Sequence, residues 1–173
     1  MALIKNGALT ADPYTAVPEG GELPAAGAVL LSLGQWQQWR GELLQRVAPL
    51  GVRLRSDQHP ETLVDDLHRL ALVALEFPTF RDGRPYSYAR LVRERYGFTG
   101  ELRAVGEVLP DQLLYMHRVG FDAFDIESTD PAGTFAAALA EFSVWYQPAA
   151  DDRPWVARRR LQRAPDSGLG PVS

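Results

Sequence analysis

Strand-length apolar runs alternate with longer stretches of helical spacing along most of this chain. Leu72–Phe77 and residues 102–105 each lead through a polar turn into a helix-spaced segment, and a third run, residues 121–126, follows. Strand–helix–strand–helix–strand in that order predicts right-handed parallel crossovers. Upstream, residues 28–33 (AVLLSL) form a continuous apolar run, short enough for a strand buried on both faces. Trp36, Trp39, Leu43, Leu44 and Val47 then share one stripe, so residues 35–50 read as a helix ended by Pro49 and Gly51. Residues 52–55 alternate apolar with charged, which predicts a strand with one wet face at a sheet edge.

Caps and turns punctuate the same pattern. Asp57 or His59 opens a helix with Pro60 at its first position and Glu61 in its first turn, with Leu63, Leu67 and Leu70 facing the core. Asp130-Pro131 opens the last helix, which Phe135, Leu139 and Phe142 carry to about Tyr146. At the start, Asn6-Gly7 between short apolar stretches predicts a type I′ hairpin. Residues 10–26 are rich in Pro, Gly and Glu and read as a loop laid over the domain. The resulting division is a hairpin and covering loop over 1–27, a single α/β domain over 28–147, and an Arg-rich, partly disordered tail over 148–173. Five mostly parallel strands alternating with helices are expected. A flavodoxin-like sheet is the first choice and a partial β/α barrel the alternative, since both obey the same local pattern.

Composition narrows the chemistry. At 173 residues the chain suits one domain that buries roughly 70% of its unfolded surface. Its 18 Lys+Arg against 22 Asp+Glu leave no basic face for a nucleic acid outside the tail. Cysteine is absent, which excludes disulfides, thiolate nucleophiles, cysteine-ligated iron–sulfur clusters and zinc ribbons. No N-terminal stretch resembles a signal peptide and no run reaches the ~18 apolar residues of a membrane span, so a cytoplasmic protein without a membrane partner is expected. After residues 28–33 stands a lone Gly34, not a dinucleotide fingerprint, and no phosphate-binding P-loop occurs. His59, His68 and His117 lie far apart, so no metal site is expected, and the protein is expected to carry no cofactor.

In parallel α/β folds the chemistry sits on loops leaving the carboxyl ends of the strands. Here those loops hold Glu76, Arg81, Asp82, Arg84, Tyr86 and Ser87, then Glu107, Asp111 and Gln112. Residues 81–87 (RDGRPYS) combine two guanidinium groups, a glycine and a helix start at Pro85, the parts of an anion cradle. The same arginines would pin the loop if they paired with Asp82, Glu76 or Glu107. Arg103, a charge in a strand expected to be buried, needs Glu76, Glu101, Asp125 or a ligand as partner. Structural pairing is expected for Arg103 and ligand binding for Arg84. Glu76 and Glu107 are the candidate proton-transfer groups, with helix capping the other reading of Glu107.

These phrases also resemble domain-of-unknown-function family 934. The motifs are Phe77-Pro78 with Phe80, Asp82-Gly83-Arg84 with Tyr86-Ser87, Ala89-Arg90-Leu91, Arg95-Tyr96-Gly97-Phe98 and Gly100-Glu101-Leu102-Arg103-Ala104. Asp111-Gln112-Leu113, Gly120-Phe121-Asp122-Ala123-Phe124 and Phe142-Ser143 with Tyr146-Gln147 complete them, while Pro110 stands where that family usually has a basic residue. Members are often labelled oxidoreductases of sulfite reduction and tend to be encoded beside sulfite reductase and siroheme synthesis. The resemblance therefore implies assimilatory sulfur metabolism. Together with the missing cofactor motifs and the Arg-rich tail, it favours an accessory that binds sulfite reductase or another pathway protein, and the strand-end loops add an oxyanion site to that expectation. An enzyme acting on a small sulfur- or phosphate-containing anion is the alternative, and a homo-oligomeric scaffold built on the tryptophan-bearing helix is a third reading.

Overall fold

A computed structural model describes residues 2–140. The chain begins with three short strands, β1 (Ala2–Lys5), β2 (Ala8–Thr10) and β3 (Tyr14–Ala16), followed by β4 (Ala28–Ser32) and helix α1 (Leu33–Leu43). Next come β5 (Leu50–Leu54), a 3-10 helix over Pro60–Arg69, β6 (Leu72–Phe77), and α2 (Arg84–Arg90) prolonged by a π-helical turn over Leu91–Arg95. The described part ends with β7 (Glu101–Gly106), a 3-10 turn (Pro110–Gln112) into α3 (Leu113–Arg118), β8 (Ala123–Ile126) and α4 (Pro131–Ala140). No helix among the described residues is long and apolar enough to cross a membrane.

All eight strands join one sheet in the order β2-β1-β8-β7-β6-β5-β4-β3, three more than the five alternating strands expected: the two strands of the expected hairpin, and β3. From β3 to β8 each pair is parallel, whereas β1 runs antiparallel to both β8 and β2. This corrects the flavodoxin-like expectation. From β4 to β8 each strand pairs with its successor, with no reversal of order to make a switch point. Successive right-handed crossovers in one direction put the helices on one face. The sheet curls about the other.

Chain length shows how far it curls. Thr10 ends one edge strand and Tyr14 begins the opposite edge strand. Laid flat, eight strands would hold those edges roughly 33 Å apart, but four residue steps reach at most roughly 14 Å. The edges must therefore approach, giving a half-barrel with residues 11–13 as a strap across its opening. The outer, helix-covered face holds Val29, Leu31, Val52, Leu54, Val73, Leu75, Phe77, Leu102 and Phe124 in the main core. A small second cluster of Leu72, Ala74 and Val105, packed with Tyr14 and Leu30, fills the inside.

Several local expectations change for identifiable reasons. The stripe after β4 stops early: α1 ends at Leu43, Val47 is fully exposed, and β5 already starts at Leu50. β5 is not an edge strand but lies between β4 and β6, and its charged Arg53 points to the inside of the half-barrel, beside Glu76. Residues 10–26 include a strand, because β3 pairs with β4. The hairpin follows its sequence signal, with Asn6 (φ 50°) and Gly7 (φ 82°) both left-handed. His59 caps its helix by accepting from the Glu61 amide, and Asp130 caps α4 through the Gly133 amide. The expected continuation of the last helix through Phe142 to about Tyr146, and the expected Arg-rich tail, fall outside the described residues.

Two structural ties give tests. Gly106 closes β7 at φ 90°, and a Cβ there would strike the Phe77 carbonyl that accepts from the Glu107 amide. Gly106→Ala is expected to cost at least about 1–3 kcal/mol in chemical denaturation. Buried Asp66 accepts from Arg40 (2.7 Å to each oxygen) and from Trp36 Nε1–H (3.1 Å), joining α1 to the 3-10 helix. The Arg40 guanidinium holds its carboxyl below the usual range, against the opposing effect of burial. A lowered folded-state pKa contributes stability that is present above about pH 4 and lost as pH falls through the folded value. Asp66→Asn is therefore expected to flatten the acid limb of the stability–pH curve, with Trp36 fluorescence as reporter.

Candidate functional site

Polar chemistry gathers in two places: the rim where β6 and β7 end, and the inside of the half-barrel. At the rim, a turn (Asp82 N–H to Thr79 O, 3.0 Å) brings Asp82 back beneath the start of α2. Asp82 accepts from the Arg84 amide (3.1 Å), Nε (3.0 Å) and Nη2 (2.7 Å), and Nη2 also reaches Ser56 Oγ at 3.0 Å. These bonds hold the Asp82 carboxyl well below the usual carboxylate range. Arg84, the expected oxyanion ligand, is thus engaged by this chain's own carboxylate.

The next loop clamps Phe80. Its amide donates to Glu107 Oε2 and its carbonyl accepts from Gln112 Nε2, both at 2.8 Å. Phe80 is left 40% exposed, with the Arg81 guanidinium 5.3 Å from the centre of its ring. Tyr115, one helical turn beyond Gln112, is 56% exposed and lies 5.0 Å from Tyr86, which packs on Phe77 at 5.1 Å. Burial pushes the Tyr86 hydroxyl up to about 12, with Tyr115 and Asp111 adding to the shift, so it stays protonated. Ser87 and Asp111 are exposed. Among the described residues Arg81 has no ion pair.

Inside the half-barrel, Arg103 is 2% exposed and accounts for the charge seen in its strand. Glu101 Oε1 takes its Nε at 2.7 Å, and Asp12 on the strap takes Nη1 at 2.7 Å and Nη2 at 3.1 Å. Tyr14 lies under the guanidinium at 5.6 Å, and Lys5 holds the other Glu101 oxygen at 2.8 Å. Burial pushes the Asp12 carboxyl up, but the Arg103 and Tyr14 amide hydrogen bonds outweigh it and leave it lowered. Glu76 faces Arg53 at 3.5 Å, and its Oε2 is buried without a hydrogen-bond donor. Arg53 and Ser32 line a neighbouring cavity of about 220 Å³.

The rim therefore collects Arg81, Asp82, Arg84, Tyr86, Glu107 and Gln112, whereas Glu76 and Arg103 face the separate interior. Arg53, Lys5 and Asp12 entered no sequence reading of the site. The charge at position 53, in the same alternation as that at 103, was the available signal for Arg53. Among the described residues no three His, Asp or Glu side chains form a cluster suited to a metal ion.

Residues 51–156 match the family model described as a bacterial protein of unknown function (DUF934). No curated protein matches the chain.

Proposed function

The chain belongs to the DUF934 family, and from that premise we propose a non-catalytic accessory of assimilatory sulfite reduction. It docks a protein of that system, with sulfite reductase first among candidates, through Phe80, Arg81 and Tyr115. The placement in sulfur metabolism rests on the sequence resemblance. The docking surface rests on one observation: an exposed aromatic residue whose backbone is fixed at both polar groups by side chains of the following loop. A solvent-facing phenylalanine held so firmly is pre-organised, which removes ordering cost at association. Phe80, Tyr115 and Arg81 also supply the residue types that dominate binding energy in interfaces.

Immobilised protein is expected to bind purified sulfite reductase saturably, and the double variant Phe80→Ala/Arg81→Ala to bind at least about tenfold more weakly. Both side chains are solvent-facing, so the urea midpoint should move by no more than about 0.5 kcal/mol of stability. Equal binding by the variant and the parent protein would remove the docking surface.

Glu76 favours a second reading, an enzyme acting on a small anion. Its Oε2, ion-paired with Arg53 at 3.5 Å but without a hydrogen-bond donor, could move a proton while the guanidinium holds the oxyanion. Glu107 is less suited, because it already accepts from the Phe80 amide. If Glu76→Gln leaves growth on sulfate untouched, this second reading fails.

A further inference from the structure

Inward-facing side chains of the half-barrel fall into layers, and one layer is cationic. Ser32, Arg53, Ala74, Arg103 and Ala123 are level across β4 to β8, and Lys5 on β1 pairs with Ala123. Two alanines leave room for the long side chains between them. Cations so placed need negative charge to complete them. Glu101 serves Lys5 and Arg103, and Glu76 faces Arg53. Asp125, on β8 of the same face, has its carboxyl pushed up by burial. Asp12 differs from these carboxylates because it comes from the strap.

Its two oxygens fork onto the outer edge of Arg103, the geometry by which guanidinium takes any small oxyanion. The strap is a weak place in the fold: residues 11–13 are exposed, and β3 beyond them is three residues long. Firmer anchors come later, where Gln35 Nε2 donates to the Val17 and Pro18 carbonyls.

We propose that the Nη1/Nη2 edge of Arg103 is a binding site for a small oxyanion, and that Asp12 is a built-in carboxylate occupying it until a ligand displaces the strap. The site is independent of the docking surface at Phe80. Hydrogen exchange of residues 10–16 in the unmodified protein, compared in sulfate, acetate and chloride at equal ionic strength, reads the displacement. The Tyr14 amide donates to Asp12 at 3.0 Å, so its exchange should rise at least tenfold, saturably, with sulfate or acetate and not with chloride. Response to sulfate alone identifies a tetrahedral oxyanion, and response to acetate alone a carboxylate. The same exchange in all three salts overturns the proposal. Asp12→Ala keeps the Arg103–Glu101 pair and removes the competitor, so it should bind the effective anion at least tenfold more tightly than the parent chain. Unchanged affinity in a folded Asp12→Ala protein also overturns it.

Discussion

Arg103→Ala is expected to lower folding stability by roughly 3–5 kcal/mol, seen as a lower urea midpoint at unchanged slope. Arg103 is 2% exposed, and its guanidinium is engaged by Asp12 and Glu101. Glu101 sits beside it, itself buried, and would keep only Lys5. Removing one partner of a buried charge pair costs far more than the pair contributes, because the remaining charge has lost its water as well. Asp12→Ala is expected to cost less. Its carboxylate belongs to an exposed strap, and Arg103 retains Glu101. A similar loss from the two substitutions would mean that the strap, and not Glu101, compensates the arginine.

Arg93→Ala is expected to destabilise by a similar amount, roughly 3–5 kcal/mol in the same assay. Its guanidinium gathers three carbonyls, Gly120 O (2.9 Å), Phe98 O (2.8 Å) and Gly100 O (2.7 Å), and the Asp122 carboxylate (2.9 Å). The other Asp122 oxygen accepts from the Leu102 amide, so one side chain ties the end of the α2 crossover to the starts of β7 and β8. Burial pushes the Asp122 carboxyl up, while the Leu102 amide and Arg93 pull it down. Without Arg93 it would rise further. A raised folded-state carboxyl pKa makes stability fall as pH rises through the window above the unfolded value. The deficit of Arg93→Ala should therefore be smaller near pH 4 than at pH 7.

Much of the fold was legible because hydrophobic pattern reports burial directly. Leu72–Phe77 reads as a strand and is one, and the Asn6-Gly7 turn follows from its backbone requirement. Strand order was not legible, since a flavodoxin-like sheet and a half-barrel share the same alternation. What separates them is a distance, the short step from Thr10 to Tyr14 between opposite edges. β3 escaped notice because three mostly exposed residues between prolines and glycines carry no periodic signal. Val47 misled because its spacing continued a stripe after the helix itself had ended.

The candidate site was legible in part for the same reason. A charge in a buried strand demands a partner, so Arg103 called for Glu76, Glu101, Asp125 or a ligand, and Glu101, two residues away, is one of the partners it has. Asp12, 91 residues away in sequence, could be found only once the sheet was curled. Arg53 looked like an edge residue because alternation reports one polar face without saying whether that face meets water or a barrel interior. The exposed clamp on Phe80 left no signal in sequence, since Glu107 and Gln112 read equally well as helix-start residues.

Growth with sulfate as sole sulfur source tests the docking function most directly, in a strain whose only copy carries Phe80→Ala/Arg81→Ala. The docking surface predicts failure on sulfate and normal growth when cysteine is supplied, with the variant protein folded and present at the level of the parent chain. Full growth on sulfate under those conditions would contradict it.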